Sequence, residues 1–225
     1  MSLYPRATEE LFTIRDWLRF TVSRFEESDV FYGHGTDNAY DEAVWLVMSA
    51  LHLPHDTLIN FLDASLTEQE RRHVAHLIQR RVTERIPTAY LLREGWLRGY
   101  KFYVDERVIV PRSHIAELLE EQLAPWIEYP ETIESAADIC TGSGCLGILL
   151  AYAYPNAAID VVDISPDAIT VANINIANYG LEQQVTAIQS DMFKALKSKT
   201  YDLIISNPPY VDAPSMATLP QEYRN

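Results

Sequence analysis

Asp138-Ile139-Cys140-Thr141-Gly142-Ser143-Gly144-Cys145-Leu146-Gly147 is the stretch whose reading decides the fold. The apolar run Ala136 to Cys140 enters it with the character of a strand, and Leu146 to Tyr154 leaves it as a helix. Glycines at such a junction permit positive φ and bring the backbone close to a ligand, while the first turn of the following helix offers free amides. Gly142, Gly144 and Gly147 satisfy G-x-G-x-x-G, so the loop alone fits a dinucleotide fingerprint as well as a methyl-donor loop. A tight turn without a ligand satisfies it too.

Downstream, the rhythm of strand, turn and helix repeats. Ala158 to Val162, Val185 to Ile188 and Asp202 to Ser206 read as strands, and Pro166 to Asn178 as a helix. Short apolar runs separated by helices imply an α/β fold whose parallel sheet carries helices on both faces. Ligands of such sheets collect beyond the carboxyl ends of the strands, and every candidate polar group lies there. Asp163 ends the second strand, where a carboxylate can accept both hydroxyls of an adenosine ribose at about 1.5–3 kcal/mol each. Its alternative role, capping the helix at Pro166, is open to the nearer Ser165. In Ser190-Asp191-Met192-Phe193, Asp191 can accept adenine amino hydrogens while Met192 or Phe193 lies against the ring; a plain polar turn is the competing reading.

Ser206-Asn207-Pro208-Pro209-Tyr210 closes the fourth strand. Consecutive prolines hold an extended turn with exposed carbonyls. A carboxamide nitrogen is a poor nucleophile because its lone pair is delocalised. The Asn207 side-chain oxygen and the Pro208 carbonyl can accept its two hydrogens and hold it for in-line attack on a sulfonium methyl, with Tyr210 as a flat stacking face. The gain is largely positional, for which effective molarities reach about 10⁵–10⁸ M. Any planar amino group suits the same arrangement.

Residues 1–87 carry helical spacing, in Leu11, Ile14, Leu18 and Val22 and again in Val44, Val47, Met48 and Leu51. Thr67 with Glu70 forms a capping-box signature before Val74, Leu77, Ile78 and Val82, and Pro87 is expected to end the helical region. Residues 88–112 read as a β-hairpin connector built from Tyr90–Leu92, Tyr100–Val104 and Val108–Val110, and Ile115 to Leu123 as a helix opening the domain 113–225.

The formal charge of −14 repels phosphate backbones and favours a basic partner, so no direct nucleic-acid binding is expected. The N-terminus has no basic segment followed by an apolar run, and no stretch approaches the roughly 20 apolar residues of a membrane span. A soluble, cytoplasmic protein is expected. Cys140 and Cys145, both inside the Gly-rich segment, suggest thiols rather than a disulfide. His73 and His76 lie one helical turn apart but lack a third ligand, so no metal is assigned. Arg71, Arg72, Arg80, Arg81 and Arg85 read as a solvated helix face paired with Glu68, Glu70 and Glu84.

The motifs TGSG, VVDISPDAI, SDMF and NPPYVD resemble those of the glutamine N5-methyltransferases that modify release factors and ribosomal proteins. Phe31 to Asn38 (FYGHGTDN), Glu84-Arg85-Ile86-Pro87, Phe102 to Arg107 (FYVDER) and Leu219 to Arg224 (LPQEYR) are similar to the branch acting on large-subunit ribosomal protein three. Pro111-Arg112-Ser113-His114-Ile115-Ala116 departs from the Pro-Arg-Pro-x-Thr-Glu of the release-factor branch. The resemblance spans essentially the whole chain. It implies a Rossmann-like S-adenosylmethionine methyltransferase sheet behind an N-terminal helical substrate-recognition domain. It further implies that Thr141, Gly142, Ser143, Gly144, Asp163, Asp191, Met192 and Asn207 hold S-adenosylmethionine. Asn207, Pro208 and Tyr210 would be catalytic, with Pro209 beside them at the substrate, a glutamine of a basic ribosomal protein. The class resembles a seven-stranded sheet, whereas only four core strands precede Asn225; truncation after the fourth is expected, leaving a hydrophobic edge. Competing readings are an N6-adenine or N4-cytosine methyltransferase, a nicotinamide-dependent oxidoreductase and a non-catalytic assembly factor.

Overall fold

The computed structural model describes residues 3–209, 218 and 220–223. It divides into two units, one formed by residues 1–93 and 212–225, the other by residues 94–211.

The first unit is helical: α1 (Leu3–Glu10), α2 (Ile14–Glu27), α3 (Ala39–Ala50), α4 (Leu58–Phe61), α5 (Glu68–Thr83) and α6 (Thr88–Leu92). Its spacing of apolar residues buries Trp17, Phe25, Leu46, Met48, Val74 and Ile78 in one core. Start signals written in the sequence are used as such. Thr67 accepts the Glu70 amide while the Glu70 carboxylate accepts the Thr67 amide at 2.7 Å, and Thr13 and Asp16 do the same for α2. The α5 helix stops at Thr83, Arg85 beyond it takes a positive φ of 60°, and the helical region continues past Pro87 as α6.

The five arginines expected on one solvated face do not share it. Arg72 and Arg80 pair with Glu68 and Glu84 at the surface, as expected. Arg71 instead donates to the carbonyls of Thr8 and Leu66, and Arg85 to those of Ser28 and Asp29. Arg81 is only 1% exposed. Its guanidinium donates to Glu42 at 2.5 Å and to the Phe31 carbonyl at 2.8 Å, and lies 3.5 Å from Glu222. Glu222 also accepts the Phe31 amide at 3.1 Å, and Glu42 the hydroxyls of Thr36 and Thr88. Helical spacing reports the face of a residue only while its neighbours are known; here distant segments covered part of that face.

In the second unit, β1 (Gly95–Leu97) and β2 (Tyr100–Phe102) form an antiparallel hairpin, followed by α7 (Ile115–Glu120). Two strand expectations fail. Tyr90–Leu92 lies in α6, whose C-cap Arg93 adopts the left-handed conformation, and Val108–Val110 is irregular. Both are short runs, for which β propensity alone is a weak guide. Then β3 (Ser135–Ile139), α8 (Cys145–Ala153), β4 (Ala158–Asp163), α9 (Pro166–Asn178), β5 (Val185–Gln189) and β6 (Leu203–Ser206) build a parallel sheet in the order β5-β4-β3-β6.

One face of that sheet, carrying Ala136, Ile159, Val161, Val185 and Ile205, shares a core with α7, α8, α9 and the hairpin. The other, carrying Ala137, Ile139 and Val162, packs on Leu196 and Tyr201. Helices on both faces were expected; among the described residues the second face is covered by a 3₁₀ turn at Lys194–Leu196. β6 pairs only with β3 among the described residues, and Ile204 on this edge is 47% exposed. No helix of the described residues is long and apolar enough to cross a membrane.

Candidate functional site

The sheet order places β3 between β4 and β6, so the Gly loop leaves the middle of the sheet with the ends of its neighbours on either side. Backbone and hydroxyl bonds tie these ends together. Thr141 N donates to the Val162 carbonyl at 3.0 Å, Ser190 N to the Asp163 carbonyl at 2.9 Å, and Ser206 Oγ to the Ile139 carbonyl at 2.7 Å.

Asp163 sits beside the loop as expected. One carboxylate oxygen accepts Gly142 N at 2.9 Å and the other Ser165 N at 3.0 Å, while Ser165 Oγ caps α9 by accepting Ala168 N at 3.2 Å. A carboxylate has about four acceptor sites, so these two bonds fix its orientation and leave capacity for two hydroxyls. A Cβ added to Gly142 would meet nothing within 4 Å, so the loop faces open space there. At Gly144 the situation is opposite. Its φ is +80° and a Cβ would come within 3.1 Å of Ala172 on α9. These are the features a donor with a ribose diol requires: an approachable backbone and an oriented carboxylate.

Beyond β5, Asp191 is exposed and pairs with Lys194, a surface contact of small energetic weight. Met192 has a positive φ of 49° and brings its sulfur to 3.9 Å from Cys140 Sγ at the exit of β3, so the third expected position joins the first across the sheet. Burial pushes the Cys140 thiol above its ordinary pKa, and the buried Cys145 is pushed up to about 12, which favours the neutral thiol in both.

Asn207, Pro208 and Pro209 are exposed at the end of β6. Asn207 Nδ2 donates to the Arg112 carbonyl at 3.2 Å. A carbonyl can only accept, so this bond turns Nδ2 toward Arg112 and leaves Oδ1 as the acceptor of the carboxamide. Tyr210 lies outside the described residues, as do Leu219 and Arg224 of the C-terminal motif.

Residues 117–219 match the family described as Methyltransferase small domain, and residues 16–92 the PrmC N-terminal domain. The ribosomal protein uL3 glutamine methyltransferase of Neisseria gonorrhoeae is 57% identical over 221 residues, covering 98% of this chain and 74% of that protein. The Bordetella pertussis protein of the same description is 57% identical over 217 residues, covering 96% and 73%. That of Burkholderia pseudomallei is 54% identical over 220 residues, covering 95% and 72%. This chain belongs to the uL3 glutamine methyltransferase family. Family membership removes the oxidoreductase reading of the Gly loop, which the G-x-G-x-x-G pattern alone had left open.

Sequence reasoning missed three groups that shape this candidate site. The Arg112 carbonyl was invisible, since a backbone acceptor leaves no mark in side-chain pattern. Asn175 is fully buried on α9 among Val171, Ala172 and Ile176; a polar residue on an apolar helix face was the available signal. Asp138 is fully buried beneath the loop, where Oδ2 accepts Thr141 Oγ1 at 2.5 Å and Gly147 N at 3.2 Å, and Oδ1 has no partner. Its place at the end of an otherwise apolar strand was the signal.

Burial pushes the Asp138 pKa up to about 7, against the opposing pull of the Thr141 and Gly147 bonds, with the Asp163 charge adding to the rise. A carboxyl that holds its proton more tightly when folded stabilises the fold at acid pH. The contribution is complete below the ordinary value of 3.8 and is lost as pH climbs through about 7. Asp138→Asn keeps the acceptor and removes the titration. We therefore expect wild type to lose stability relative to Asp138→Asn between pH 5 and pH 8, on the order of a few kcal/mol. Urea unfolding at the two pH values checks this; parallel pH dependences would refute it.

Proposed function

We propose that this chain transfers a methyl group from S-adenosylmethionine to the side-chain amide nitrogen of a glutamine in ribosomal protein uL3. The observation that carries the reading is the Asn207 carboxamide, turned by the Arg112 carbonyl so that Oδ1 remains to accept an amide hydrogen. The donor, when bound, supplies an electrophilic methyl on a sulfonium centre. Thr141, Gly142, Ser143 and Gly144 would cradle it, Asp163 would take the ribose hydroxyls, and Asp191 and Met192 would flank the adenine.

The chain's own work is on the acceptor. Asn207 Oδ1 and the Pro208 carbonyl accept the two amide hydrogens, Pro209 keeps the turn extended, and Tyr210 stacks on the planar group. Accepting both hydrogens would pin the nitrogen in one orientation and stabilise the positive charge that builds on it as it is methylated, and the proton it then sheds would pass along one of these hydrogen bonds to water. The helical residues 1–87 serve as the substrate-recognition domain, residues 88–112 as connector and 113–225 as the catalytic domain. A ribosomal substrate assigns the reaction to the cytoplasm, and the net charge of −14 favours a basic protein over an exocyclic amine of nucleic acid.

Mass spectrometry of purified uL3 after incubation with this chain and labelled S-adenosylmethionine tests the reading. One labelled methyl on a glutamine is expected. Label on nucleic acid alone, or on another residue type, would overturn it.

A further inference from the structure

Asn175 has more polar bonds than packing requires. Its Oδ1 accepts Tyr103 N at 2.7 Å, and its Nδ2 donates to the Tyr103 carbonyl at 3.0 Å and to the Ser143 carbonyl at 2.8 Å. The paired bonds to Tyr103 reproduce what a neighbouring strand would offer, so a helix side chain holds an irregular segment as a sheet would. The third bond reaches the Gly loop itself. One turn earlier on the same face, Ala172 leaves just the room that Gly144 fills.

The segment that Asn175 grips is braced on its far side. Tyr103 Oη donates to Asp105 at 2.8 Å, and Asp105 accepts Arg107 through both backbone and guanidinium, bonds that hold its carboxyl down to about 2. Phe102 and Val104 on either side of Tyr103 are fully buried. The Phe102–Arg107 motif therefore forms a fixed abutment, α9 a second, and Asn175 joins both to Ser143.

We propose that Asn175 is a positioning residue for the methyl donor: by holding the Ser143 carbonyl against the braced Tyr103 segment, it keeps the Gly142–Gly144 turn in its binding conformation before the donor arrives. Preorganisation of this kind appears as affinity, because a loosened turn must be ordered at the expense of binding. The inference rests on the donor-loop reading given above.

Asn175→Ala removes all three bonds. Asn175→Asp keeps the size and the acceptor for Tyr103 N but puts an oxygen against the Ser143 carbonyl. Val171→Ala, at a fully buried position of the same helix with no bond to the loop, is the control for lost packing. Calorimetric titration with S-adenosylhomocysteine, at a temperature where circular dichroism finds each protein folded, should give a Kd raised about 10- to 100-fold in both Asn175 variants, the scale by which removing the hydrogen-bond partners behind metal ligands weakens a metal site. Val171→Ala should stay within about twofold despite a lower Tm. Hydrogen exchange of residues 141–147 should accelerate in Asn175→Asp and not in Val171→Ala. Asn175 variants that bind like wild type, that weaken no more than the control, or that fail to fold altogether would overturn the inference. If wild type itself does not bind S-adenosylhomocysteine, the donor reading falls first.

Discussion

Asn207→Ala should lower kcat/KM for glutamine methylation by about 10²–10³-fold. The magnitude is that of removing one oriented hydrogen-bonding group from a reacting centre. The loss follows from where the side chain is anchored. One of its two N–H hydrogens goes to the Arg112 carbonyl and turns the side chain, and Oδ1 is its one acceptor, the kind of atom the hydrogens of the proposed acceptor amide would need. Asn207→Asp separates orientation from acceptance. It retains oxygens but loses the donor that faces Arg112, so carbonyl and carboxylate repel, and activity should fall nearly as far. Steady-state kinetics with uL3 checks both variants. Retention of more than a tenth of wild-type activity by Asn207→Ala would remove Asn207 from the reaction.

Arg81→Ala should destabilise the chain by about 3–5 kcal/mol, the loss expected when one partner of a buried ion pair is removed. Glu42 and Glu222 are 3% and 4% exposed, and without the guanidinium both carboxylates would stay buried, with Arg85 at 3.6 Å from Glu222 the remaining cation beside them among the described residues. The cost lies in what is left behind rather than in the worth of the pair. A triple variant, Arg81→Met with Glu42→Gln and Glu222→Gln, should therefore recover most of the loss, since neutral amides carry a far smaller desolvation penalty. Urea unfolding of the three proteins decides it. A loss below about 1 kcal/mol for Arg81→Ala, the level of a solvated pair, would mean that the cluster is hydrated and the surface-face reading was right after all.

Much of this arrangement was legible without coordinates. The α9 helix begins at Pro166 behind the Ser165 cap and ends at Asn178, because cap, proline and apolar spacing agree locally. The Gly loop, Asp163, Asp191 and Asn207 could be assigned to strand ends for the same reason. Where local signals were thin, the reading went astray. Tyr90-Leu91-Leu92 has the composition of a strand, yet Thr88–Leu92 is a turn of helix, with the Thr88 hydroxyl donating to the buried Glu42. Arg81 has the spacing of an exposed position, yet is buried by Glu222 from the other end of the chain.

The amino-acid sequence by itself determined the succession of strands and helices, the glycine turn at the end of the first core strand and the family to which the chain belongs. These depend on periodicity, caps and short motifs, which act over a few residues. Only the tertiary structure decided which polar groups are buried and what orients them. Asp138 carries its proton toward neutrality because α8 and the loop exclude water from it. Asn175 reaches the loop because the hairpin brings Tyr103 to α9. Asn207 presents its oxygen because Arg112, far back in the chain, takes its nitrogen. Such pairings join residues whose spacing along the chain carries no signal, since they exist only once packing has brought their segments together.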